Sequence, residues 1–190
     1  SFSVSEYVAE EISLWKRLDF DSVLSAVNLI HKKYNDGKKV ITCGNGGSAN
    51  TASHYITDWN KATTLATGKK FKGISLVDNI GLLTAYANDV GYESIFSGQL
   101  ASILDVGNLV IAVSGSGNSA NVIKACEYAQ DNGADTLAIV GYDGGNLMNI
   151  AKHVVWIPSF DMQLCEDLQL VFGHMVMKSL CGGKVIIDNT

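Results

Sequence analysis

The chain has 190 residues, 47% of them apolar, and a formal charge of -5 at pH 7, which suits one hydrophobic core and is short for two. The acidic balance and the lack of a long Lys/Arg run exclude a general nucleic-acid binder. No stretch nears the roughly 20 apolar residues of a membrane-spanning helix, and the first residues lack a signal-peptide layout, so a cytoplasmic protein with no membrane association is expected.

Residues 4–18 place Val4, Val8, Ile12 and Leu14 or Trp15 at helical spacing, and residues 21–35 do the same with Val23, Leu24, Val27, Ile30 and Tyr34. Two amphipathic helices are therefore expected first, the second stopping near Asp36-Gly37. Short β-branched runs then recur between helix-length segments: KVITC (39–43), KGISLV (72–77), NLVIAV (108–113), TLAIV (136–140) and HVVWI (153–157). Nearly continuous apolar runs of this kind read as parallel strands covered on both faces. A last helix is expected over 161–181. The expected fold is α/β, a doubly wound, flavodoxin-like parallel sheet of about five strands with an N-terminal helical pair. The whole chain 1–190 is read as a single domain: helices in 1–36, the α/β core in 37–181 and a tail in 182–190. The four cysteines (Cys43, Cys126, Cys165, Cys181) are far apart, which indicates reduced, mostly buried thiols.

In open α/β sheets ligands bind at the carboxyl ends of strands. Two glycine-rich loops fall there: Cys43-Gly44-Asn45-Gly46-Gly47-Ser48 after the first strand and Ser114-Gly115-Ser116-Gly117-Asn118-Ser119 after the third. Glycine allows close approach of backbone to ligand, and unpaired amides at a helix start favour an anion. No GK[ST] follows either loop, and a GxGxxG pattern is matched only as far as Gly46, with Ala49 in the third place. Two such loops at neighbouring strand ends favour a phosphate site over two ordinary turns. GYDGGNL (141–147) reads as a turn and is left out of the site, and Tyr55, Trp59 and Trp156 are assigned no role.

CGNGGSA with a following His, then ANDVGYESIFS, VSGSGNSANVIKA and GYDGG, together resemble the sugar isomerase (SIS) domain family, and within it the sedoheptulose 7-phosphate (phosphoheptose) isomerase branch. The resemblance covers nearly the whole chain. It implies a cytoplasmic homotetramer with active sites at subunit interfaces, a bound zinc ion, and conversion of sedoheptulose 7-phosphate to D-glycero-D-manno-heptose 7-phosphate for bacterial lipopolysaccharide or capsule. By position it implies substrate contacts at Asn45, Gly46, Gly47, Asn88, Asp89, Ser114, Gly115, Ser116 and Ser119, with Gly115 where the family usually has Thr. It implies metal and acid–base roles at His54, Asp58, Glu166 and His174, Asp58 standing for a family Glu and Glu166 for a Gln.

His54 and Asp58 are four residues apart, so on a helix they share a face whatever the family. Glu166 and His174 are eight apart, about 12 Å of rise and an 80° turn on a straight helix, which makes one shared centre difficult; Asp167 is better phased to His174 and competes with Glu166. Aldose–ketose interconversion through an enediol needs a base, an acid and oxyanion stabilisation. The resemblance suggests Asp58 or Glu166 as base, His174 as the group exchanging protons with the sugar oxygens, and zinc held at His54, Asp58, Glu166 and His174. Two alternatives stay open: a non-catalytic SIS tetramer that binds a protein partner, and an isomerase of a different sugar phosphate.

Overall fold

The computed structural model describes residues 2–183; the KVIIDNT tail (184–190) lies outside the described residues. Two helices lead, α1 (Val4–Arg17) and α2 (Phe20–Asn35), as the periodicity predicts. The Asp19 carboxylate accepts from the Asp21 and Ser22 amides at 3.0 and 3.3 Å and so starts α2. Next come β1 (Val40–Cys43), α3 (Gly46–Thr67), β2 (Gly73–Ser75), α4 (Ile80–Asp89), a 3₁₀ turn at Tyr92–Ser94, and α5 (Ser97–Ile103). The chain continues through β3 (Leu109–Ser114), α6 (Ala120–Asp131), β4 (Asp135–Val140), the single-turn α7 (Leu147–Ile150), β5 (His153–Trp156) and α8 (Met162–Leu180). Asp161 caps α8 through the Gln163 and Leu164 amides. Every strand run expected from the sequence is a strand, each starting and ending within a residue or two of the expected limits.

All strand pairings are parallel and the order is β2-β1-β3-β4-β5. This is the flavodoxin-like doubly wound order. Along β3, Leu109, Ile111 and Val113 face one layer while Val110 and Ala112 face the other, the period-two alternation of a strand. The first layer packs against α2, α3 and α8; the second against α5 and α6. Each buried Leu, Ile or Val contributes about 1.5–3 kcal/mol relative to exposure, so both faces must be covered, which is why the strands read as continuous apolar runs. All four cysteines are buried free thiols, and burial pushes the Cys126 thiol up to about 12.

At the amino edge of the sheet the buried Lys33 ammonium donates to Asp135 Oδ2 (2.6 Å) and to the Gly107 carbonyl (2.8 Å), and Lys152 meets Asp135 from the other side (3.3 Å). The Lys33 bond foremost holds the Asp135 carboxyl below the usual carboxylate range. No helix among the described residues is long and apolar enough to cross a membrane.

Candidate active site

The strand order reverses between β1 and β3, and the two glycine-rich loops leave those adjacent strands there. They do face one cleft, of about 430 Å³, lined by Asn45, Gly46, Gly47 and Ser48 from the first loop and by Ser114, Gly115, Ser116 and Ser119 from the second. Tyr142, Met162 and Glu166 complete it. Among the described residues no Lys or Arg lines this cleft.

The cleft receives the amino ends of α3 and α6. The first amides of a helix lack intrahelical acceptors, and neither N-cap, Asn45 of α3 nor Ser119 of α6, caps its helix through its side chain. Ser114 Oγ accepts from the Gly117 amide (3.0 Å) and Ser116 Oγ from the Asn118 amide (3.2 Å), which uses the hydroxyls as acceptors and leaves their protons to donate. Free amides, hydroxyl donors and two helix dipoles on one volume favour an anion without a cation, although the Glu166 carboxylate shares that volume.

Glycines here serve close approach. A Cβ on Gly44 would lie 2.7 Å from the Ser48 carbonyl oxygen, and one on Gly117, at φ 68°, only 2.1 Å from that of Gly144. A Cβ on Gly115 would meet nothing within 4 Å, so no packing demands glycine there. The Gly144 contact gives the GYDGG segment a supporting role that the sequence reading left out. The Leu147 amide donates to the Gly117 carbonyl (3.0 Å) and the Asn146 amide to Asn118 Oδ1 (2.9 Å). Buried Gln169 adds a second support from α8, its amide donating to the carbonyls of Ser114 (3.1 Å) and Ile139 (3.2 Å).

On α3, two turns after the first loop, His54 and Asp58 share a face as expected. They meet His174 of α8: Nε2 of His54 is 3.2 Å from Nε2 of His174, and Asp58 Oδ2 is 3.2 Å from the first and 3.6 Å from the second. Tyr55 and Trp59, on the neighbouring face of α3, draw the helices together by donating to the Gln169 and Gly173 carbonyls. Both aromatic rings are fully buried, while the His54 and His174 side chains are about 45% exposed. These three donors lie within 4.8 Å of one another. A tetrahedral ion with bonds of about 2.0–2.1 Å separates its donors by roughly 3.3–3.4 Å, so the spacing fits a divalent metal with three protein ligands and an open position.

Glu166 is not in this cluster. It lies eight residues before His174 on the same uninterrupted α8, and its carboxylate stands over Gly47, where a Cβ would come within 2.3 Å of Oε1. The three-donor cluster does not include Glu166, which the resemblance names as a ligand: a continuous helix carries it to the anion cleft, about 12 Å along the axis from His174. Its carboxylate makes no hydrogen bond among the described residues. Asp167, the competing candidate, is also outside the cluster and accepts from the Tyr7 hydroxyl of α1 at 2.5 Å. That bond foremost pushes the Tyr7 phenol up to about 12. Asn88 and Asp89 end α4, bond to each other (2.7 Å) and are exposed; they do not line the cleft of their own chain.

A cleft suited to an anion and a three-donor cluster that could hold a metal, on a sheet of order 2-1-3-4-5, coincide with sequence similarity. Residues 6–141 match the family model described as the SIS domain. The chain is 33% identical over 173 residues to the phosphoheptose isomerase of Helicobacter pylori strain P12, covering 90% of each. This chain belongs to the phosphoheptose isomerase family of SIS domain proteins. It is 31% identical to the phosphoheptose isomerase of Aliarcobacter butzleri over 98% of this chain and 95% of that one. It superposes on the structure of phosphoheptose isomerase GmhA from Neisseria gonorrhoeae with a TM-score of 0.85 at 26% identity, over 93% of this SIS domain and 96% of its relative.

Proposed function

We propose that this protein is a ketose–aldose isomerase that converts sedoheptulose 7-phosphate to D-glycero-D-manno-heptose 7-phosphate, for the heptose of a bacterial lipopolysaccharide or capsule. The observation that carries the reading is the pairing of an anion cleft, free of Lys and Arg among the described residues, with a His54–Asp58–His174 cluster on the same helix pair. The phosphate sits against the amides and hydroxyls of residues 45–48 and 114–119, and the sugar extends toward α3 and α8. Glu166, without a hydrogen-bond partner among the described residues and lining the cleft, is the better placed of the two carboxylates to take the carbon-bound proton. Asp58 is engaged with two imidazoles. His174 exchanges protons with the sugar oxygens, the reacting carbons lying between it and Glu166 so that the two side chains close the roughly 12 Å of helix rise that separates them.

His54, Asp58 and His174 suit zinc, being two neutral imidazoles and one carboxylate; when bound, zinc supplies Lewis acidity to a carbonyl oxygen. The protein works as a cytoplasmic homotetramer with active sites at subunit interfaces. Two observations support the assembly: Val4, Val8 and Ile12 form an exposed apolar stripe along α1, and no residue of α4 is buried. Asn88 and Asp89, exposed at the end of that helix, then contact substrate in a neighbouring subunit's cleft.

The test is to incubate the pure protein, with and without added Zn²⁺, with sedoheptulose 7-phosphate and to follow the aldose by NMR. Metal-responsive aldose formation is expected. No product in either condition would overturn the reading in favour of another ketose phosphate or a partner-binding role.

A further inference from the structure

The side-chain oxygen of Asn45 is fully committed, although the residue occupies the N-cap of α3. Its Nδ2 donates to Asn121 Oδ1 at 2.9 Å, and its Oδ1 accepts from Asn121 Nδ2 at 2.9 Å and from the Tyr92 hydroxyl at 2.9 Å. Asn121 belongs to the first turn of α6, is 2% exposed, and is 76 residues away in the chain. Asparagine is among the strongest N-capping residues, and an unrestrained Asn45 would fold its Oδ1 onto the second or third amide of α3. Here it makes no such bond, and the α3 amides remain available to the cleft, the Glu166 carboxylate standing over Gly47 without accepting from its amide.

We propose that Asn121 is a positioning residue that withholds the Asn45 side chain from capping α3, so that the amides at residues 47 and 48 stay free for the substrate's phosphate. Tyr92 assists by occupying the remaining lone pair of Asn45 Oδ1. Without Asn121 the protein's own amide competes with the phosphate for the same donors. The effect falls on anion binding, because His54 lies seven residues further along α3, about 10 Å from Gly47. The proposal rests on the isomerase reading only for its turnover readout.

The experiment is calorimetric titration of inorganic phosphate into the folded protein, beside steady-state kinetics. Asn121→Ala is expected to weaken phosphate binding and raise KM about tenfold, the scale of one hydrogen bond, with kcat within about twofold of the parent. Asn45→Ala placed on the Asn121→Ala background removes the competing cap and recovers most of the lost phosphate affinity. A merely structural role for Asn121 predicts no such recovery, and a double variant as weak as the single one would overturn the proposal. Tyr92→Phe, at an exposed position, gives a smaller loss of the same kind if Asn121→Ala does not fold, and unchanged phosphate affinity in that variant would count against the proposal equally. A parent that binds phosphate but turns over no sugar phosphate sinks the isomerase reading and leaves the positioning to be decided by the titration. A parent that binds no phosphate overturns the positioning itself.

Discussion

Gly173 of α8 lies against the ring of Tyr55 of α3 so closely that a Cβ on the glycine would stand 2.3 Å from two ring carbons. That contact sets the separation of the two helices, and His54 and His174, each adjacent in sequence to one of the pair, meet because of it. Replacing Gly173 by Ala forces an aromatic ring in a packed core to shift. It is expected to cost about 1–3 kcal/mol of stability and to lower metal affinity together with it. Thermal denaturation and metal titration of Gly173→Ala check this; unchanged values in both would show that the contact does not set the site.

Gly47 gives the complementary case. The atoms its Cβ would meet first are those of the Glu166 carboxylate, the flexible end of a side chain, and its φ needs no glycine. Gly47→Ala should therefore change stability by less than about 0.5 kcal/mol while displacing Glu166, with kcat down by at least tenfold. Equal kcat in a variant of parental Tm would argue against Glu166 as the base.

Metal content separates the two carboxylates. Asp58→Asn and His174→Ala are expected to lose bound metal and about 10²–10⁴ in kcat, because each removes one of three donors. Glu166→Gln is expected to keep full metal occupancy and lose only turnover. Elemental analysis of the purified variants decides, and metal loss in Glu166→Gln would restore it as a ligand.

The Lys33–Asp135 pair makes an acid-dependent contribution to stability. Because the folded Asp135 carboxyl titrates below its unfolded value of about 3.9, its stabilisation is fully present above that pH and is lost as pH falls through the folded value. Asp135→Asn should cost about 2 kcal/mol at pH 7, since it leaves the buried Lys33 ammonium without its counter-charge, and should flatten the stability loss below pH 4. Urea denaturation of both proteins from pH 2 to pH 7 measures it; parallel curves would mean that the pair carries no pH dependence.

The order of elements was legible from local pattern. Val, Ile and Leu runs buried on both faces leave no polar alternation, and the switch-point loops follow from which strands precede them. The His54–Asp58 pair was equally legible, since a four-residue spacing on a helix is a local fact. The engagement of Asn45 was not, but Asn121 left a signal: it stands four residues before Ala125 and eight before Ala129, a polar side chain on the buried face of α6.

What the sequence by itself determined, then, is the parallel sheet, its helices and the two loops at neighbouring strand ends, because helix and strand periods and glycine conformations act over a few residues. Only the tertiary structure decided that His174 joins His54 and Asp58, that Glu166 joins the anion cleft instead, and that Asn88 and Asp89 stay outside it. Those outcomes depend on how closely α3 and α8 pack and in which direction they run, which Tyr55, Trp59 and Gly173 set across more than 100 residues of chain.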